Sequence, residues 1–149
     1  LEYDEKGLEK FLADNGYKSS VAYINEIVSA KDEDGKIIGY VITVTDKEGY
    51  GGDIQFSLGI QHDGTVNGIS FLTLQETAGV GMKAAEDKFK SQFEGKQVDS
   101  FEATKNGATA ENQIDAISGA TITTNAVTGG VNAGILAYQF VTNGGEMDE

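Results

Sequence analysis

The sequence predicts an α+β fold. A twisted antiparallel sheet, a four-stranded meander with short additional strands, is packed with helices, and the last helix follows a Ser-Gly-Ala-Thr turn. Three observations predict this. Residues 21–30, 37–45, 54–60 and 66–74 are runs rich in β-branched and aromatic side chains, and each gap between them carries turn chemistry. The gaps are too short for the crossovers that parallel neighbours need, so successive runs pair antiparallel. Beyond Gly81 the apolar spacing changes to a helical period.

Residues 5–15 form a short amphipathic helix, with Leu8, Phe11 and Leu12 on one side and Gly16 as its stop. The strands turn at Asp32-Glu33-Asp34-Gly35, at Lys47-Glu48-Gly49 and at His62-Asp63-Gly64, and alternate residues of the platform face a core. Met82, Ala85, Phe89 and Phe93 then share one face of a helix that Gly95 ends. Residues 98–101 read as another short strand, 105–113 as loop, and 114–117 as an extended lead into the turn. The final helix covers about 124–141, with Val127, Val131, Ile135 and Tyr138 as its buried stripe and Thr123 or Thr124 as N-cap. Gly129, Gly130 and Gly134 lie inside it, each costing about 1 kcal/mol against Ala. Three together imply close approach to another element, or a weaker helix than the pattern suggests. Gly144-Gly145 and the acidic end read as frayed. The 149 residues read as one domain, without a repeat or linker.

The net charge of −13 argues against nucleic acid and anionic membrane surfaces as direct partners. It suits solubility, or docking to a basic or metal-bearing redox partner. Cysteine is absent, which excludes disulfides, Fe–S clusters and Cys-ligated zinc. The one histidine, His62, sits in a Gln-His-Asp-Gly turn, where a solvated role is the default and a Ser-His-Asp hydrolase is disfavoured. No metal ligands or catalytic constellation stand out. No stretch approaches the ~20 apolar residues of a membrane span. Gly51-Gly52, Gly79-Val80-Gly81 and Gly129-Gly130 make neither a dinucleotide fingerprint nor a Walker loop.

The chemistry concentrates in Asp115-Ala116-Ile117-Ser118-Gly119-Ala120-Thr121, directly before the last helix. A small-residue turn delivers the Thr121 hydroxyl to a helix mouth, whose unpaired N–H groups and partial positive charge suit a phosphate. The chain has no Arg at all and no Lys after Lys105, so a phosphate here lacks local cationic side chains. A covalent bond to Thr121 would solve that problem. The same four residues would also serve merely to cap a helix. A Thr hydroxyl is a poor nucleophile without a base. No His or Lys lies near it in sequence, although Asp115 could approach in space. Attachment therefore calls for a separate enzyme that brings its own base and metal.

This stretch resembles the flavinylation motif of the FMN-binding domains in membrane redox complexes. These include the G subunit of the Rnf electron-transport complex and the C subunit of the sodium-translocating NADH:quinone reductase. The motif reads Asp, two variable residues, Ser or Thr, Gly, Ala, Thr, and Asp115, Ser118, Gly119, Ala120 and Thr121 match it. A second stretch, Glu76-Thr77-Ala78-Gly79-Val80-Gly81-Met82-Lys83, is similar to the Glu-Thr-Pro-Gly-Leu-Gly loop of Rnf-type subunits. Ala78 stands for the usual Pro, which leaves this loop less rigid. The resemblance runs from about Gly49 to about Tyr138.

The resemblance implies FMN joined through its phosphate to Thr121, attached by an FMN transferase that uses FAD and Mg²⁺. Asp115 would then be a recognition signal or a ligand to the transferase metal; otherwise it is a turn carboxylate bonding local N–H groups. Glu76, Thr77, Gly79 and Gly81 would lie along the flavin, the glycines admitting close backbone approach. Lys83 could sit near the N1–C2=O edge and raise the flavin potential, or be a solvated first-turn residue. Tyr50, Phe71 and Tyr138 are candidates for stacking, with core packing as the default for each. The implied role is electron relay on the extracytoplasmic face of a membrane, as one subunit of an ion-translocating complex linking ferredoxin and NAD⁺. The domain would follow an N-terminal membrane helix and have no turnover of its own. The rivals are a non-covalent FMN-binding module, a stand-alone flavin reductase that binds NADH, and a structural or adhesive surface domain.

Overall fold

A computed structural model of the chain describes residues 2–145. The acidic end expected to fray, 146–149, lies outside the described residues. Helix α1 (Glu5–Asp14) is capped by the Asp4 carboxylate, which accepts the Gly7 N–H at 3.0 Å, and it buries Leu8 and Leu12. Strands β1 (Ala22–Lys31), β2 (Ile37–Asp46), β3 (Ile54–Gln61) and β4 (Val66–Thr73) form the expected antiparallel meander in the order β1-β2-β3-β4. Alternate residues of β2 and β3 point to one side. Tyr40, Ile42, Val44, Phe56, Leu58 and Ile60 are all buried there.

Helix α3 (Thr121–Phe140) lies on that inner face and starts three residues before the expected 124. Ala120 occupies the N-cap position and no side chain caps the helix, so neither Thr123 nor Thr124 is the cap. Both lie within the first turns with their hydroxyls turned into the protein. The expected single stripe is also too narrow. Thr123, Thr124, Ala126, Val127, Thr128, Gly130, Val131, Ala133, Gly134, Ile135 and Ala137 are all buried, because the sheet covers one side of α3 and α1, the 81–85 turn and the segment Glu102–Thr104 cover others. The glycines explain how it sits so close to the sheet. A Cβ on Gly130 would stand 2.8 Å from the Phe56 ring, and one on Gly134 2.6 Å from Leu58 Cδ2.

Two expectations fail in the connecting segment. The helix read from Met82 to Phe93 is three short pieces: a 3₁₀ turn (Gly81–Ala85), α2 (Asp87–Lys90) and a second 3₁₀ turn (Ser91–Phe93). Glu86 is extended (φ −78°, ψ 146°) and breaks the period, which leaves Ala85 exposed and buries Ala84 instead. Phe89 and Phe93 remain buried, and Phe93 meets Phe101 edge-on at 5.0 Å. The strand expected at 98–101 forms later, as β5 (Glu102–Thr104). The Asn132 side chain takes both the N–H and the C=O of Phe101, at 2.7 and 2.9 Å, which ties that residue to α3. β5 pairs in parallel with β6 (Gln113–Asp115), which occupies the start of the expected extended lead.

Candidate functional site

The turn before α3 is built by backbone geometry. Gly119 adopts φ +76°, which favours glycine. The Ala120 N–H bonds to the Ile117 C=O at 2.9 Å. The Thr124 hydroxyl accepts the Ile117 N–H at 3.0 Å and donates to the Ala120 C=O at 2.8 Å, fixing the entry to the helix from inside. The first helical bond runs from the Thr124 N–H to the Ala120 C=O, so the N–H groups of Thr121, Ile122 and Thr123 precede the hydrogen-bonded ladder. Thr121 itself is half-buried, and among the described residues its hydroxyl has no hydrogen-bond partner.

Thr121 opens onto a cleft of about 440 Å³. Gly119, Ala120, Ile122 and Thr123 flank it on that side, and Tyr50, Thr77, Val80 and Gly81 form the other. The volume lies within the range of small-ligand and cofactor sites, roughly 300–1,000 Å³. Among the lining residues there is no His, Lys, Asp or Glu. Tyr50 and Ile122 are 69% and 52% exposed, so two large apolar surfaces border the mouth. An uncapped helix start, a free hydroxyl and an apolar-walled slot fit a phosphorylated planar group attached or anchored at Thr121.

The structure brings the two sequence motifs together. Thr77 and Gly81 line the cleft with the Gly119–Thr121 turn, and Gly79 (φ +76°) shapes the connection, whose Val80 and Met82 N–H groups both bond to the Thr77 C=O at 3.1 Å. Three residues of the expected cofactor set, Glu76, Lys83 and Ser118, lie outside the cleft, as does Asp115, the expected recognition residue. Glu76 is buried behind the wall: its carboxylate accepts the Tyr50 N–H (2.9 Å), the Gly51 N–H (2.5 Å) and the Thr123 hydroxyl (2.7 Å). Lys83, Ser118 and Asp115 line a neighbouring hollow of about 470 Å³, with Lys88 and Gln92. Asp115 accepts the Ala108 N–H at 2.5 Å, and Gln92 bonds its backbone on both sides. Of the stacking candidates, only Tyr50 reaches the cleft. Phe71 packs edge-on against Phe56, and Tyr138 against Tyr40 while donating to the His62 C=O at 2.6 Å. His62 is exposed in its turn.

Sequence reasoning missed Thr123 as a partner of Glu76. Residues 47 apart carry no local signal of contact, and only the buried polar pair reveals it. A larger hollow of about 800 Å³ lies near the C-terminal half of α3, lined by Asp63, Asp99 and Glu111 among others. It contains no residue of either motif, and its carboxylates disfavour a phosphate.

Comparison with known proteins places the chain in a family. The chain is 35% identical over 136 residues to the G subunit of the Na⁺-translocating ferredoxin:NAD⁺ oxidoreductase complex of Acetobacterium woodii, covering 90% of this chain and 64% of that protein. It is 34% identical over 110 residues to the C subunit of the Na⁺-translocating NADH-quinone reductase of Pasteurella multocida, covering 68% and 42%. The chain thus spans less than two thirds of these relatives' length. The fold matches the crystal structure of Shewanella oneidensis NqrC with a TM-score of 0.64 at 22% identity, over 78% of this chain and 58% of that one. A family model for the FMN-binding domain matches residues 49–136, a segment that contains the cleft, both motifs and most of α3. The chain belongs to the FMN-binding domain family.

Proposed function

We propose that FMN occupies the cleft at the head of α3, with its phosphate at the helix start and a phosphoester bond to the Thr121 hydroxyl oxygen. The observation that carries this reading is the free, half-buried Thr121 hydroxyl at an uncapped helix mouth beside a cleft without cations. The N–H groups of Thr121, Ile122 and Thr123 would hold the phosphate oxygens. Ser118, Gly119 and Ala120 shape the turn, and Thr77, Gly79 and Gly81 border the ring. Tyr50 and Ile122 would cover its faces. When bound, the flavin supplies one- or two-electron transfer, and the protein supplies its position, exposure and electrostatics.

No residue of the cleft can deprotonate Thr121. A separate FMN transferase therefore supplies base and Mg²⁺. The Thr121 oxygen attacks the FMN-side phosphorus of FAD, the P–O–P bond breaks, AMP leaves, and the hydroxyl proton goes to the transferase base. Asp115 and Ser118, exposed on the adjoining hollow, are placed for that enzyme to read. The domain would relay electrons as a subunit of a membrane ion-translocating complex of Rnf type, on the extracytoplasmic face and tethered by a preceding helix. Among the described residues no helix is long and apolar enough to cross a membrane.

The test is retention. After co-expression with the transferase, denaturation and filtration, the yellow stays with the wild-type chain and is absent from Thr121→Ala. Flavin that washes away from the denatured wild type would favour a non-covalent module instead.

A further inference from the structure

Glu76 lies behind the cleft wall, buried, and its carboxylate collects three donors from two other segments. Tyr50 and Gly51 belong to the β2–β3 loop, Glu76 lies in the loop after β4, and Thr123 lies in the first turn of α3. These segments supply the cleft's walls. The packing leaves no room for slack: a Cβ on Gly51 would stand 2.1 Å from the Gln75 C=O and 2.7 Å from Glu76 Oε2. A Cβ on Gly81 would stand 2.6 Å from Glu76 Cβ and 2.7 Å from the Thr123 hydroxyl. Both glycines thus press directly on the carboxylate's surroundings.

We propose that Glu76 is the positioning residue of the site: it clamps the Tyr50–Gly51 wall to the first turn of α3, and its charge holds a flavin in the cleft at low potential. The second half rests on FMN occupying the cleft. Each electron accepted adds negative charge to the ring until a proton follows, and a fixed carboxylate behind the wall disfavours that charge. No lysine lines the cleft to offset it, since Lys83 faces the neighbouring hollow. Glu76 thereby acts through the wall without touching the ring's slot.

Two readouts on the full chain test this. The first needs no flavin: amide hydrogen exchange of Tyr50 and Gly51. In Glu76→Gln the amide NH₂ cannot accept the Gly51 N–H, so protection there falls by about tenfold or more. Thr123→Ser keeps its hydroxyl and keeps protection. Unchanged exchange in Glu76→Gln overturns the clamp. Should Glu76→Gln fail to fold, Gly51→Ala replaces it: displacing the loop should expose the Tyr50 amide, and unchanged protection there overturns the clamp equally. The second readout is the midpoint of a dithionite titration of the flavin-loaded protein. Glu76→Gln shifts it positive, whereas Glu111→Gln, which removes an equal charge from the hollow that shares no residue with the cleft, leaves it near wild type. No shift in Glu76→Gln, or an equal shift in both, overturns the electrostatic half. A wild type that takes up no flavin refutes the cofactor reading alone, and the exchange result still decides the clamp.

Discussion

Thr124 and Thr121 sit three residues apart and do opposite work. Thr124 is fully buried, and its hydroxyl accepts one backbone N–H and donates to one C=O, which sets the angle at which the chain enters α3. Thr124→Val would strand the Ile117 N–H, at about 1–3 kcal/mol in chemical or thermal denaturation, whereas Thr124→Ser should lose no more than about 1 kcal/mol. Thr121 is half-buried with an unengaged hydroxyl, so Thr121→Ala should change stability by less than about 1 kcal/mol while removing the proposed attachment point. The place of Thr121 at a helix start was legible from the sequence, because the signal is local: a small-residue turn followed by a helical period. The roles of Glu76 and Lys83 were less legible. Whether a side chain near a glycine loop faces the slot or its back depends on the third segment it meets, here the β2–β3 loop.

The glycines of α3 make the same point for an element. Helical period located the helix, yet the stripe of Val127, Val131 and Ile135 understated its burial, since a helix covered on several sides has no polar face to define a stripe. Gly130 and Gly134 record how near the sheet is. Gly130→Ala should destabilise by about 1–3 kcal/mol, because the methyl enters the Phe56 ring and overpacking outweighs the gain in propensity. At Gly129 a Cβ would meet nothing closer than 3.7 Å, so Gly129→Ala should stabilise by up to about 1 kcal/mol. Equal signs in the two melts would show that propensity and not proximity governs this face. The four sheet strands were legible within a residue or two, because alternation and turn residues are local signals. The segment after Gly81 was not. Phe89 and Phe93 satisfied a helical spacing, while the extended Glu86 interrupted it.

For the whole molecule, a net charge of −13 makes the placement of each carboxylate matter. Asp46, at the end of β2, is 2% exposed beside Gly129 and Gly130 of α3. Burial pushes its carboxyl from 3.8 up to about 7, Glu48 and Asp53 adding to the rise while the Glu48 N–H opposes it. The folded state therefore holds a proton that the unfolded chain releases near pH 4. This contribution to stability is complete below that pH and is lost as pH rises through 7. Asp46→Asn should match wild type at pH 5 and be more stable at pH 8, on the order of 2 kcal/mol or roughly 5 °C in Tm. A parallel pH profile in both proteins would contradict it. Fold and site meet in a single arrangement: the meander supports α3, and α3 presents a hydroxyl to a slot closed by two loops. The most direct test is the intact mass of the denatured protein after co-expression with an FMN transferase, with the modified peptide then located by fragmentation. The mass should rise by one FMN less one water, on the peptide containing Thr121, and stay unmodified in Thr121→Ala. An unmodified wild-type chain, or flavin on another residue, would contradict the account.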